Sequence, residues 1–160
     1  MQFNHLIEIN DPLIPLVDVL TRAQLWRGLV LRAEAPKLFV PHLDGCLISA
    51  RGTERFERAL TYGALTITDV VTLTLQQQIV INVPGQNDIA PSSLTMTIEE
   101  PLSATLFVRF AYEDGIHVAP DSMDAYYDKF RHSAYQEADI DTIRLIRQLA
   151  QEGRLDTDSD

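Results

Sequence analysis

"FERALTYGALTITDVVTLTL", residues 56–75, holds two alternating apolar and polar runs that meet at Gly63-Ala64. Glycine in the first central position of a two-residue loop marks a tight hairpin turn, because that position requires a positive φ. With Gly63 and Ala64 as the loop, Tyr62 faces Leu65 and every later pair has positions that sum to 127. One face then carries Tyr62 with Leu65, Leu60 with Ile67, Arg58 with Asp69 and Phe56 with Val71. Three of these pairs are apolar, and the fourth sets an arginine opposite an aspartate within a greasy face.

The alternation extends along the chain. Residues 2–9, "QFNHLIEI", place Phe3, His5, Ile7 and Ile9 on one side of a first strand. Further strands are expected at 44–51, 54–62, 65–75, 78–83, 93–100 and 104–113. Their connections are short except for "PGQNDIAPS" at 84–92, so neighbours must be antiparallel, since a parallel crossover needs about a dozen residues or more. Leu106, Val108, Phe110 and Tyr112 share a face, as do Leu94, Met96 and Ile98, while Thr95, Thr97 and Glu99 point the other way. A sheet greasy on one side only needs a helical cover.

Two segments supply helices. In "LTRAQLWRGLVLRAEAP", Thr21 with Gln24 three residues later forms a capping box, Pro36 stops the run, and Leu25, Trp26, Leu29, Val30 and Ala33 share the inner face. The connection before it, "NDPLIPLVDV", has no consistent period, and "PKLFVP" after it suggests a helical turn. From a cap at Asp121 or Ser122 to Gly153 runs a long C-terminal helix. Met123, Tyr126, Tyr127, Phe130 and Ala134 form one apolar stripe, and Ile140, Ile143, Ile146, Leu149 and Ala150 a second, with a break expected near 136–139. Residues 1–153 read as a single domain and 154–160 as an acidic, flexible tail.

Bulk composition narrows the function. A formal charge of −10 over 160 residues argues against nucleic acid, whose phosphates need clustered cations. There is no basic, apolar leader and no run of roughly 18 apolar residues, so no membrane insertion is expected. A lone Cys46 makes no internal disulfide, and the expectation is a cytoplasmic protein. Phosphate-loop, dinucleotide and Gly-x-Ser-x-Gly fingerprints are missing, and His42, His117 and His132 show no metal-ligand spacing, so neither cofactor nor metal is expected.

"LTRAQLWRGLVLRAEAPKLFVP", "GALTITDVVTL", "LTMTIEEP" and "DIDTIRLIRQL" together resemble the AtaL-like family of the START-like or SRPBCC superfamily. The resemblance implies an α+β helix-grip fold: a seven-stranded curved antiparallel sheet wrapped around a long C-terminal helix, with a short helical segment between strands 1 and 2. It also implies a cavity between sheet and helix for a small hydrophobic or amphipathic molecule. The superfamily includes carriers, polyketide cyclases, hydroxylase domains and chaperone co-factors, and the family supplies no catalytic motif to carry over.

On that frame the expected ligand-binding set is His5, Trp26, Leu29, Phe56, Arg58, Asp69, Val71, Met96, Phe110, Tyr112, Tyr126 and Phe130. Arg58 and Asp69 are either a register-fixing ion pair or the polar floor of the cavity. His5, brought beside Tyr112 by the fold, is either a hydrogen-bonded core histidine or, with Asp69, a candidate for proton transfer. Cys46 reads as a small apolar strand residue rather than a nucleophile. The segments 84–92 and 114–121 are placed to border an entrance. A carrier or sensor is the expected function; a cyclase or aromatase, or a protein-interaction module without ligand, are the alternatives. Exposed sheet edges leave room for a homodimer.

Overall fold

The hairpin forms in the expected register. Gly63 sits at φ +60, and β3 (Arg55–Tyr62) pairs with β4 (Leu65–Thr74) from Tyr62 opposite Leu65, through Arg58 opposite Asp69, to Phe56 opposite Val71. The computed structural model describes residues 1–13, 19–116 and 118–156. The middle of the expected connection after the first strand, His117 and residues 157–160 of the expected tail lie outside the described residues.

The other strands are β1 (Gln2–Asn10), β2 (Gly45–Ser49), β5 (Gln78–Val83), β6 (Ser92–Leu102) and β7 (Thr105–Asp114). They form one seven-stranded antiparallel sheet in the order β1-β7-β6-β5-β4-β3-β2. Strands β2 to β7 are a meander, and β1 closes beside β7 with Phe3 opposite Tyr112 and His5 opposite Phe110. The covered face is the apolar set of each strand, with Phe56, Val71, Ile79, Met96, Val108 and Phe110 at most 1% exposed.

Helix α1 (Arg22–Glu34) begins at the expected capping box: Gln24 N donates to Thr21 Oγ1 at 3.0 Å and Thr21 N donates to Gln24 Oε1 at 2.9 Å. A short 3-10 turn at Pro36–Leu38 follows. Just before α1, buried Asn10 donates to the Leu20 carbonyl and accepts from the Leu20 amide, which ties the end of β1 to the helix start. Helix α2 (Met123–Gln151) is capped by Ser122 and crosses α1 closely. A Cβ on Gly28 would lie 2.6 Å from Ile146 Cγ2, so glycine here is what lets the helices meet.

Two expectations about α2 are corrected. The helix is continuous through 136–139, having neither proline nor glycine to break it. A continuous helix keeps one phase, and its buried positions are Asp139, Thr142, Ile143, Ile146 and Leu149. Phe130 is nine residues before Asp139, about two and a half turns at 3.6 residues per turn, and therefore faces the opposite way. Met123, Tyr126, Tyr127 and Phe130 are accordingly exposed, Tyr126 by 54% and Phe130 by 58%, rather than turned to the sheet. The first half of α2 instead presents Arg131, His132 and Tyr135 inward, all half-buried. The packed chain also runs past 153: Leu155 is buried in the core, and its carbonyl accepts from Arg27.

Candidate functional site

Two buried polar groups interrupt the gripped face. In the first, Arg58 Nε and Nη2 donate to the two oxygens of Asp69 at 2.8 and 2.6 Å, a bidentate pair with both side chains at most 5% exposed. The remaining Arg58 nitrogen, Nη1, donates to the Ala33 carbonyl at 2.9 Å. That carbonyl is among the last of α1, where no helical partner exists. One guanidinium thus joins β3, β4 and the end of α1, with both carboxylate oxygens occupied.

The second group is centred on Asp139. The Tyr112 hydroxyl lies 2.7 and 2.9 Å from its two oxygens, and His5 Nε2 lies 2.7 Å from Oδ2. Asp139 is fully buried. Burial pushes its carboxyl above the usual carboxylate range, while the hydrogen bonds to His5 and Tyr112 pull it back. Burial, followed by the adjacent Asp139 charge, drives the Tyr112 hydroxyl far upward, so Tyr112 is a neutral phenol. With Asp139 ionised, His5 must carry its proton on Nε2 and donate it. The imidazole is held between Phe3 and Phe110, with ring centroids at 5.5 and 5.7 Å.

Between the sheet and the first half of α2 lies a cavity of about 530 Å³. Tyr62, Ile81, Leu94 and Tyr112 form its sheet side, and Arg131 and Tyr135 its helix side. Tyr112 and Tyr135 stack face to face with centroids 4.0 Å apart. Ala90, Ser92, Asp114 and Ile116 lie at its margin, drawn from the two segments expected to border an entrance. Arg131 is paired with Asp114 at 3.0 Å and Asp128 at 2.8 Å.

Of the twelve expected site residues, Tyr112 alone lines this cavity. Trp26, Leu29, Phe56, Val71, Met96 and Phe110 belong to the solid core below it. His5 reaches Tyr112 through Asp139, whereas Arg58 and Asp69 bond to each other and to α1. Tyr126 and Phe130 stand outside, in edge-on contact with one another. Sequence reasoning missed Asp139, Tyr135 and Tyr62 as site residues. The available signal was phase: Asp139 lies four and seven residues before Ile143 and Ile146, a core position filled by a carboxylate. His132, which shows no metal-ligand spacing in the sequence, stacks on Phe3 at 4.2 Å.

Burial raises the pKa of the half-buried Cys46 thiol, which gives it no nucleophilic activation. Among the described residues, no group of three His, Cys, Asp or Glu side chains could hold a metal ion. No helix among them is long and apolar enough to cross a membrane.

No curated protein matches the chain. Among solved structures, the di-domain ARO/CYC StfQ from the steffimycin biosynthetic pathway superposes with a TM-score of 0.68 at 12% identity, over 94% of this chain and 51% of that one. This chain therefore spans about half the length of the di-domain structures it resembles. The Zhui aromatase/cyclase from Streptomyces sp. R1128 gives a TM-score of 0.63 at 11% identity, over 94% of this chain and 93% of that one. A START superfamily protein from Mycobacterium smegmatis gives 0.59 at 11% identity, over 92% and 98%. At such identities the likeness establishes the helix-grip fold. Residues 7–153 match the family described as AtaL, acetylaranotin biosynthesis cluster protein L, and the chain belongs to that family.

Proposed function

We propose that the protein binds one small, mostly apolar, ring-containing molecule between its sheet and the first half of α2, as a carrier or sensor. The observation that carries this reading is the cavity of about 530 Å³ walled by Tyr62, Tyr112 and Tyr135 with Ile81 and Leu94. Its size falls in the range of roughly 300 to 1,000 Å³ usual for small-molecule sites, and its walls combine aromatic faces with a few polar tips. Native mass spectrometry of protein purified from its own host tests it. A bound organic mass should accompany the wild-type chain and be reduced or lost in Leu94→Trp, which pushes a bulky ring into the cavity. If neither form carries such a mass, a role in protein interaction without ligand gains instead; if both carry it equally, the ligand lies outside this cavity.

A second reading, an enzyme of the cyclase or aromatase type, is favoured by one specific feature. Tyr112 lines the cavity, its hydroxyl bonds Asp139, and Asp139 in turn bonds His5. A proton taken up at the Tyr112 oxygen from a ligand would be balanced by transfer of the phenolic proton to the Asp139 carboxylate, which becomes the carboxylic acid while the hydrogen bond from His5 holds it in place. Asp139→Asn keeps the shape and removes the base. An enzyme should keep its ligand and lose conversion, while a carrier should show altered affinity at most.

A further inference from the structure

Strand β2 ends the sheet with β3 as its one neighbour, so its outer edge carries backbone donors and acceptors that no strand meets. Among the described residues, none of Gly45–Ser49 makes a backbone hydrogen bond beyond β3, and the 3-10 turn at Pro36–Leu38 comes near without bonding to it. Natural sheet edges are commonly guarded by charge, proline, a bulge or a covering element. The opposite edge, β1, has such guards: Asn4 and Glu8 on its solvent face, a bulge between Glu8 and Asn10, and Arg147 of α2 donating to the Ile9 carbonyl. Strand β2, Gly-Cys-Leu-Ile-Ser, contains neither charge nor proline and pairs without a bulge. At its centre Leu47 is 76% exposed, the most exposed large apolar side chain of any described strand, and its neighbour on β3, the small Ala59, covers little of it.

We propose that β2 docks against β2 of a second copy of the chain, antiparallel about a two-fold axis at Leu47, joining the two sheets edge to edge. A strand centred on Leu47 is complementary to itself in that arrangement: Leu47 faces the partner's Leu47, Cys46 the partner's Ile48 and Gly45 the partner's Ser49, as an isologous contact requires. Exposed Asp44 and Arg51 flank the strand, and antiparallel pairing brings the Asp44 end of each copy to the Arg51 end of the other. Asp44 is engaged by the Gly63 amide and Arg51 by Glu34, but a carboxylate and a guanidinium each have further sites to offer. So short an edge buries less than the roughly 800 Å² per partner of a standard interface, and the dimer should be a weak one that forms in the micromolar range. The inference is independent of the ligand-binding reading, because none of Gly45–Ser49 lines the cavity.

Sedimentation equilibrium of the full chain at about 1 to 500 μM tests the proposal, and the wild-type mass should rise from one chain toward two across that range. Leu47→Lys sets two like charges opposite one another at the two-fold, and it should weaken association about tenfold or more. It should leave the thermal melt of the dilute chain unchanged, since the side chain is exposed. In a Cys46→Ser background, Leu47→Cys should crosslink into a covalent dimer on mild oxidation with diamide. Thr72→Cys, exposed on β4 and away from either edge of the sheet, should not. A wild-type mass that stays at one chain throughout overturns the proposal. So does a dimer that Leu47→Lys leaves intact, or a Leu47→Cys chain that crosslinks no faster than Thr72→Cys.

Discussion

Removing either member of the Arg58–Asp69 pair should be far more damaging than removing both. The two side chains are at most 5% exposed and share two hydrogen bonds of 2.8 and 2.6 Å. Asp69→Ala leaves a guanidinium buried against the Ala33 carbonyl alone, and Arg58→Met leaves a buried carboxylate with no donor. Each should cost roughly 3 to 5 kcal/mol, so the sum is roughly 6 to 10. In Arg58→Met/Asp69→Leu no charge is stranded, and the remaining loss is the orphaned Ala33 carbonyl, about 1 to 3 kcal/mol. The coupling between the sites should therefore be about 3 kcal/mol or more. Urea unfolding followed by far-UV circular dichroism and by the emission of Trp26, the single tryptophan, measures all four corners of the cycle. In thermal melts each single variant should fall by about 6 to 20 °C, at about 2 to 4 °C per kcal/mol for a chain of this size. A single-variant loss below about 1 kcal/mol at unchanged m, or a double variant as unstable as the sum, would refute the structural role and return the pair to the pool of ligand-orienting groups.

Other expectations come from the helices and from Asp139. Gly28→Ala gains about 1 kcal/mol in helix propensity but drives a methyl into fully buried Ile146, so it should be net destabilising by up to about 2 kcal/mol in the same urea assay. Phe130→Ser should change stability by no more than about 0.5 kcal/mol, because the ring is exposed on the far side of α2, and a loss of 3 or more would restore the inward stripe. Asp139 has its pKa raised in the folded chain, so the folded state holds more protons than the unfolded one. Its contribution is complete below the unfolded carboxylate pKa of about 3.9 and is lost as pH rises through the higher folded value. Asp139→Asn should flatten that part of the stability–pH curve, and an unaltered curve would show that the carboxylate ionises normally.

The hairpin was legible because a two-residue turn leaves no freedom of register: once Gly63 and Ala64 form the loop, every pair from Tyr62–Leu65 to Phe56–Val71 follows. The capping box at Thr21 and Gln24 was equally local. What depended on phase over distance was not. The aromatic stripe from Met123 to Phe130 has good amphipathic spacing, but nothing within it says which way it faces. That is decided by the anchored second half, where Ile143, Ile146 and Leu149 pack against α1 and the sheet. Projected back from those residues, the inward positions are Asp139, Tyr135 and His132. Asp139 was overlooked because a lone carboxylate in a charged helix gives no sign of burial until His5 and Tyr112 are brought to it across 134 and 27 residues. The site of the cavity was missed for a related reason. Alternation identifies the covered face of a sheet, but how tightly a helix covers each part of it depends on side chains from three elements at once.

The central claim is that a ligand lies between the tyrosine-lined end of the sheet and the first half of α2, above a core that is solidly packed. Methyl NMR of the wild-type chain titrated with 2-naphthoate tests this most directly. The account predicts that shifts concentrate on Ile81, Val83 and Leu94 at the cavity while Val71, Met96 and Ile146 in the core stay still. Shifts centred on Val71, Met96 and Ile146, or a titration that moves none of these methyls, would contradict it.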